Sequence, residues 1–263
     1  MKIARVKLKS EIFYGVVEGE RIRRIKGDIF NTYQITDESF LISETELLPP
    51  VDPPNIIAIG LNYKKHVLEH GSRKVPEKPA IFLKATTSLI GPDQNIILPK
   101  MAPSEVDYEA ELAVVIGKKA RNVEPHEVFD YVLGYTCAND VSARDCQHRY
   151  DVQWARGKSF DTFCPLGPWI ETEVDPGTRP IKTRINGNIV QDSNTSDMIF
   201  SVEYLVSYCS KNMTLLPGTV ILTGTPEGVG FARDPQLFLR DGDIVEIEIE
   251  GIGILKNGVR KEQ

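Results

Sequence analysis

Three acids recur where apolar strands begin or end. In Asp107-Tyr108-Glu109-Ala110-Glu111-Leu112-Ala113-Val114-Val115-Ile116, a strand's period of two puts Glu109 and Glu111 on one face, with Tyr108, Ala110, Leu112 and Val114 on the other. Two carboxylates about 7 Å apart on a mostly apolar strand repel each other unless a cation lies between them, a charge that a hard divalent ion supplies. The plain alternative is a solvated edge strand with its acids outward. A second apolar run, Tyr135 to Asn139, ends in Asp140. That acid either caps a helix expected to begin near Val141, a contribution of about 1 kcal/mol, or completes an oxygen-ligand site whose other positions go to water and substrate oxygens.

Acid/base chemistry has its own candidate. In Asn62-Tyr63-Lys64-Lys65-His66-Val67-Leu68-Glu69-His70-Gly71, the spacing predicts a two-turn helix capped by Asn62 and stopped by Gly71. His66 and Glu69 share a face, so the carboxylate can orient the imidazole and stabilise its protonated form, which makes a general-base dyad. The same letters spell His-x-x-Glu-His, the inverted zinc-protease motif. A zinc site calls for a longer supporting helix and a third ligand downstream, whereas here Gly71 follows at once. The other histidines, His126 and His148, have no matching Glu motif, and an exposed helix with two surface histidines is the remaining reading.

Two further segments carry suitable groups. Gly157-Lys158-Ser159-Phe160-Asp161 holds a lysine that is either an ordinary surface side chain or, partly buried, a point charge for an enolate or carboxylate. The loop Thr223-Gly224-Thr225-Pro226-Glu227-Gly228-Val229-Gly230 follows the apolar run Val220 to Leu222. It matches neither the phosphate-loop nor the dinucleotide fingerprint. Its N–H groups and hydroxyls suit a carboxylate, and a plain turn is the alternative.

The elements that must position these groups are mostly strands. Before Pro49-Pro50-Val51-Asp52-Pro53-Pro54 lie short β-like runs (Ile3 to Leu8, Phe13 to Val17, Arg21 to Ile25), and the proline cluster reads as a stiff connector between a small N-terminal β domain, residues 1–50, and a larger domain over 55–263. Beyond it, strands are expected at Asn55 to Ile59, Ala80 to Lys84, Glu109 to Ile116, Tyr131 to Ala138, Pro180 to Ile185, Val220 to Leu222, Ile244 to Ile249 and Gly253 to Leu255. Asn186-Gly187, Asp241-Gly242 and Asn257-Gly258 mark tight turns between them. One helix is clear, from Met198 to about Lys211, with Asp197 as its expected cap. The class is α+β, mainly β.

Composition narrows the partners. The 263 residues carry 31 Lys and Arg against 37 Asp and Glu, a formal charge of −6, so no global basic surface exists to neutralise nucleic-acid phosphates. With 41% hydrophobic and 26% charged residues the chain is an ordinary globular one. No apolar stretch approaches the roughly 20 residues of a helical membrane span, and the mixture of Lys, Arg and Glu from Met1 to Ile12 argues against a signal peptide or membrane anchor. Cys137, Cys146, Cys164 and Cys209 form no C-x-x-C pair and no disulfide framework, which fits buried thiols in a reducing, cytoplasmic protein.

Taken together, Asn62-Tyr63, His66, Glu69, the Asp107 to Glu111 run, Asn139-Asp140, Ala143-Arg144-Asp145, Gln147, Gly157 to Asp161 and Thr223 to Pro226 resemble, in order, the fumarylacetoacetate hydrolase family over about residues 55 to 255. The resemblance implies a rolled mixed β-sheet, a homodimer, and Mg²⁺, with Mn²⁺ or Ca²⁺ as alternatives, held by Glu109, Glu111 and Asp140. It places His66 and Glu69 on a lid helix, Lys158 facing the metal-bound oxygens, and Arg144, Gln147 and Thr225 on the carboxylate end of a small 2-oxo acid. The short first domain, and the absence of an acid from Pro53 to Leu68, point to the smaller bacterial-type branch. The expected activity is metal-dependent hydrolysis of a C–C bond in an acylpyruvate. Isomerisation or tautomerisation of a 2-hydroxy-dienedioate or related 2-oxo acid, or its decarboxylation, is the alternative on the same site.

Overall fold

The computed structural model describes residues 1–69 and 74–263. The expected roles of His70 and Gly71 lie outside the described residues.

One long sheet runs, neighbour by neighbour, through Tyr33–Leu41, Arg21–Gly27, Glu11–Glu18, Lys2–Leu8, Cys164–Glu171, Val132–Asn139, Ala110–Ile116, Val220–Leu222, Ile56–Gly60 and Ala80–Lys84. A second sheet orders Asn188–Asn194, Pro180–Ile185, Ile244–Ile249, Gly253–Lys261 and Asn95–Leu98. Most neighbours are antiparallel, while Val220–Leu222 runs parallel to Ile56–Gly60 and Gly253–Lys261 parallel to Asn95–Leu98. The architecture is therefore mixed and mainly β, as its turn-punctuated apolar runs imply. Among the described residues, no helix is long and apolar enough to cross a membrane.

The strand Ala110–Ile116 is buried along its whole length. Leu112, Val114 and Ile116 join a core with Ile57, Ile247, Leu255 and the helical Leu205 and Val206, while Ala113 and Val115 face Ala58, Ala138 and Leu222. Covered on both faces, it reads as a continuous apolar run, and each fully buried Leu, Ile or Val contributes roughly 1.5–3 kcal/mol. At the N-terminal strands the long sheet continues, since Lys2–Leu8 pairs with Cys164–Glu171. Val6, Phe13 and Ile22 form a small core there.

Four local expectations are corrected. The stretch after Val141 is a short strand, Ser142–Ala143, pairing with Val106–Asp107, and the helical turn comes later at Cys146–Tyr150. The C-terminal-half helix spans Val202–Asn212 and is capped by Ser201, whose Oγ accepts from Tyr204 N, rather than by Asp197. Asn257-Gly258 is not a turn but part of the strand Gly253–Lys261. There Asn257 Nδ2 donates to Gly91 O and Gln94 O, and a Cβ at Gly258 would stand 2.4 Å from Asn95 Oδ1, so close approach explains the glycine. Asn62 does not cap its helix, which spans Lys64–Glu69. Its amide instead donates to Thr223 O at 2.7 Å and Phe200 O at 3.1 Å and accepts from Phe200 N at 2.8 Å.

Candidate active site

Strand register assembles the acids. Ala110 pairs with Asn139 and Glu111 with Ala138, so Asp140 emerges beside Glu109, and its N–H donates to Glu109 O at 2.9 Å. Asn139 Oδ1 accepts from Glu109 N, also at 2.9 Å. Carboxylate oxygens of Glu109, Glu111 and Asp140 lie within 4.8 Å of one another, and all three side chains are buried, which removes the solvated-edge alternative. The helical turn nearby is capped by Asp145, which accepts from Cys146 N at 2.8 Å.

Buried cations answer these charges. Lys158 Nζ donates to Asp140 Oδ2 at 2.6 Å and Glu109 Oε2 at 2.8 Å, and Lys84 Nζ donates to Asp140 Oδ1 at 2.5 Å. Arg144 Nη2 lies 2.7 Å from Glu109 Oε1 and 2.8 Å from Asp107 Oδ2. Burial alone would raise the Glu109 carboxyl, but the Lys158 and Arg144 charges overcome it and hold it well below the usual range. Burial would likewise lower the Lys158 ammonium, and Asp140 and Glu109 reverse that. Glu111 goes the other way: burial first, then the Asp140 and Glu109 charges, push it well above the usual carboxylate value. Gly224 N donates to its Oε2 at 2.6 Å. Gly224 has φ +97°, and a Cβ there would stand 2.7 Å from Asn62 Cβ, so the chain needs glycine to bring that N–H to the acid.

Four buried carboxylates (Asp107, Glu109, Glu111, Asp140) thus face three buried cations (Lys84, Arg144, Lys158). The unmatched charge falls on Glu111. An all-oxygen donor set with an excess negative charge fits a hard divalent cation.

The His66–Glu69 pair forms above this cluster. Glu69 Oε1 lies 2.6 Å from His66 Nδ1, and its Oε2 accepts from Gly228 N at 2.7 Å. A carboxylate can only accept, so the imidazole proton sits on Nδ1 and Nε2 is the basic nitrogen. Eight of the nine expected site residues, His66, Glu109, Glu111, Asp140, Arg144, Gln147, Lys158 and Thr225, line one cavity. Glu69 stands behind His66.

Three residues that the motifs did not single out support the site. Lys84 left a faint signal, a lone charge ending the apolar run Ala80 to Leu83. Asp107 anchors Arg144 Nε at 2.8 Å and accepts from Gly230 N and Phe231 N, tying the 223–231 loop to the acid-bearing strand. Gln191 comes from the second sheet and carried no sequence signal. Its Oε1 accepts from Ala110 N, between the two glutamates, and its Nε2 donates to Thr225 Oγ1, both at 3.0 Å. Arg144 Nη1 also donates to Gln147 Oε1 at 2.8 Å, which leaves the Gln147 NH₂ as the donor end of that amide.

The family follows from direct comparison. The model described as fumarylacetoacetate (FAA) hydrolase C-terminal matches residues 55–260, and one described as Rv2993c-like, N-terminal, matches residues 1–50. The chain belongs to the fumarylacetoacetate hydrolase family. It is 49% identical to the mitochondrial oxaloacetate tautomerase Fahd2a of Rattus norvegicus, over 82% of this chain and 69% of that protein. It is 42% identical to protein Rv2993c of Mycobacterium tuberculosis, over 98% of both. Among solved structures, the 2-hydroxyhepta-2,4-diene-1,7-dioate isomerase of Mycobacterium marinum superposes with a TM-score of 0.90 at 41% identity, covering 100% of this chain and 99% of that one.

Proposed function

We propose that the chain moves a proton at the carbon beside the 2-oxo group of a small 2-oxo diacid, as a tautomerase or isomerase, with oxaloacetate as the first substrate to test. The observation that carries this reading is the placement of His66, backed by Glu69, and a buried Lys158 on one cavity with the carboxylate cluster. Relatives named oxaloacetate tautomerase and a neighbour named heptadienedioate isomerase support it.

Glu109, Glu111 and Asp140 would hold the divalent ion, which when bound supplies Lewis-acid polarisation of the 2-oxo group. His66 Nε2 takes the proton from the substrate carbon, while Glu69 fixes the tautomer and balances the imidazolium. Lys158 places its ammonium against the charge that develops on the enolate oxygen. The Gln147 NH₂ and Thr225 hydroxyl donate to a substrate carboxylate, each held by its own partner, Arg144 and Gln191. His66 then returns the proton to the enol oxygen or to another carbon, which sets the product.

Hydrolysis of an acylpyruvate C–C bond is the second reading. It has the support of a fumarylacetoacetate hydrolase from Exiguobacterium antarcticum, 36% identical with a TM-score of 0.90. There His66 deprotonates water instead of carbon. Ultraviolet assay of oxaloacetate keto–enol exchange, run beside pyruvate release from acylpyruvates and both with Mg²⁺, separates the two. Accelerated exchange without pyruvate release supports the proposal, and the reverse pattern replaces it with the hydrolase.

A further inference from the structure

The proposed reaction leaves one buried cation without a task. Lys84 ends the strand Ala80–Lys84, where register with Ile56 sets its backbone, and its side chain is fully enclosed. Its ammonium lies 2.5 Å from Asp140 Oδ1 and 3.4 Å from Val141 O. Unlike Lys158 and Arg144, Lys84 stands outside the cavity lining, behind Asp140.

The three acids divide their oxygens in the same way. Asp140 gives Oδ1 to Lys84 and turns Oδ2 to Lys158, and Glu109 gives Oε1 to Arg144 and turns Oε2 to Lys158. Glu111 Oε2 accepts from Gly224 N. Asp140 Oδ1 is thus held by Lys84, Glu109 Oε1 by the Arg144 charge and the Ser142 hydroxyl, and Glu111 Oε2 by a backbone N–H.

We infer that Lys84 is a positioning residue: it holds Asp140 Oδ1 so that Asp140 offers a single oxygen, Oδ2, to a divalent ion, and it thereby favours Mg²⁺ over Ca²⁺. The inference rests on the metal reading given above. Mg²⁺ is small and demands near-octahedral geometry, whereas Ca²⁺ takes six to eight oxygens and accepts carboxylates through both of theirs. A carboxylate with one oxygen on a buried ammonium is biased against closing on an ion with two, because the ammonium occupies one lone-pair direction of that oxygen and its charge repels the ion from that side. The Lys84 side chain is 0% exposed, so bulk water does not reach its ammonium where it stands. Partners that orient a ligand from behind typically control 10–100-fold in metal affinity.

Calorimetric titration of the full chain with MgCl₂ and with CaCl₂ tests this, comparing wild type with Lys84→Met and Lys84→Gln. Lys84→Met removes a charge that repels either cation as well as the tie on Oδ1, so the readout is the ratio of the two affinities: Mg²⁺ should lose about 10–100-fold relative to Ca²⁺, and Lys84→Gln, which keeps an N–H for Oδ1, should fall between. An unchanged ratio, whether both ions weaken or both tighten, is the signature of a merely structural lysine and overturns the inference. If neither variant folds, a crystal structure of the wild type grown with Mg²⁺ decides. Asp140 bound through Oδ2 alone, with Lys84 on Oδ1, supports the inference, and a two-oxygen Asp140 or a displaced Lys84 overturns it. A wild type that binds neither ion removes the metal reading itself, and this inference with it.

Discussion

Lys158 Nζ lies 2.6 Å from Asp140 Oδ2, two side chains 18 positions apart that meet where a strand end and a four-residue helix converge. The same ammonium reaches Glu109, so a single lysine offsets the repulsion between two of the three clustered acids. A divalent ion bound by Glu109 and Asp140 would compete with it for the same two oxygens.

Lys158→Met keeps much of the stem's packing and removes that charge. Taking one partner from a buried ion pair costs about 3–5 kcal/mol. The metal-free variant should therefore melt lower, by about 2–4 °C per kcal/mol, and Mg²⁺ should restore part of the loss. Turnover at saturating Mg²⁺ should stay down by about 10²-fold or more. Calorimetric melts and rates would show this, and undiminished turnover would leave Lys158 as a structural cation.

Glu109→Gln and Asp140→Asn should each abolish the rise in melting temperature on adding Mg²⁺, because an ion that binds only the folded state stabilises it by mass action. Activity should be lost with it. Wild-type Mg²⁺ binding by both variants would place the ion elsewhere.

His66→Ala and Glu69→Gln should each lower turnover about 10²–10⁴-fold while Mg²⁺ still binds, since in the proposed reaction the dyad moves protons and the carboxylate cluster holds the metal. His70→Ala should remain largely active, and a zinc chelator in excess Mg²⁺ should have little effect. A dead His70→Ala protein that had also lost stoichiometric zinc would restore the inverted zinc motif in place of the dyad.

Glu111 sets a pH dependence whose sign follows from its surroundings. Burial, then the charges of Asp140 and Glu109, raise its folded value above the ordinary 4.5. The folded chain then binds the extra proton between the unfolded and folded values, so this group costs stability as pH rises through that window. The metal-free Glu111→Gln variant should melt above wild type at about pH 8, and the gap should close as pH falls toward about 5. Glu109 is held low by Lys158 and Arg144 against the cost of burial, so its contribution is present above the ordinary value and lost only as pH falls through the lowered one. Glu109→Gln should accordingly melt below wild type at about pH 8 in the metal-free state. Melts across this range in chelator check both signs, and a Glu111→Gln variant less stable than wild type at the upper end would refute the first.

Much of the site was legible in sequence because its chemistry uses short spacings. Glu109 and Glu111 share parity on one strand, and His66 and Glu69 lie one helical turn apart, so local geometry alone pairs each set. Alternating apolar runs and Gly-marked turns were enough for the mainly β class. Local signals failed where a distant contact overrode them. Asn62 looks like a cap until Phe200 and Thr223 claim its amide, and Asn257-Gly258 looks like a turn until the 91–94 segment and Asn95 pack against it. Tertiary structure alone decided what stands behind each acid: Lys84 reaches Asp140 across 56 residues, Gly224 reaches Glu111 across 113, and Gly228 reaches Glu69 across 159. Residue types and periodicity select the side chains that can do chemistry. Which oxygen of each carboxylate is tied and which is turned inward depends on strand register and loop closure, and these exist only once the two sheets have packed.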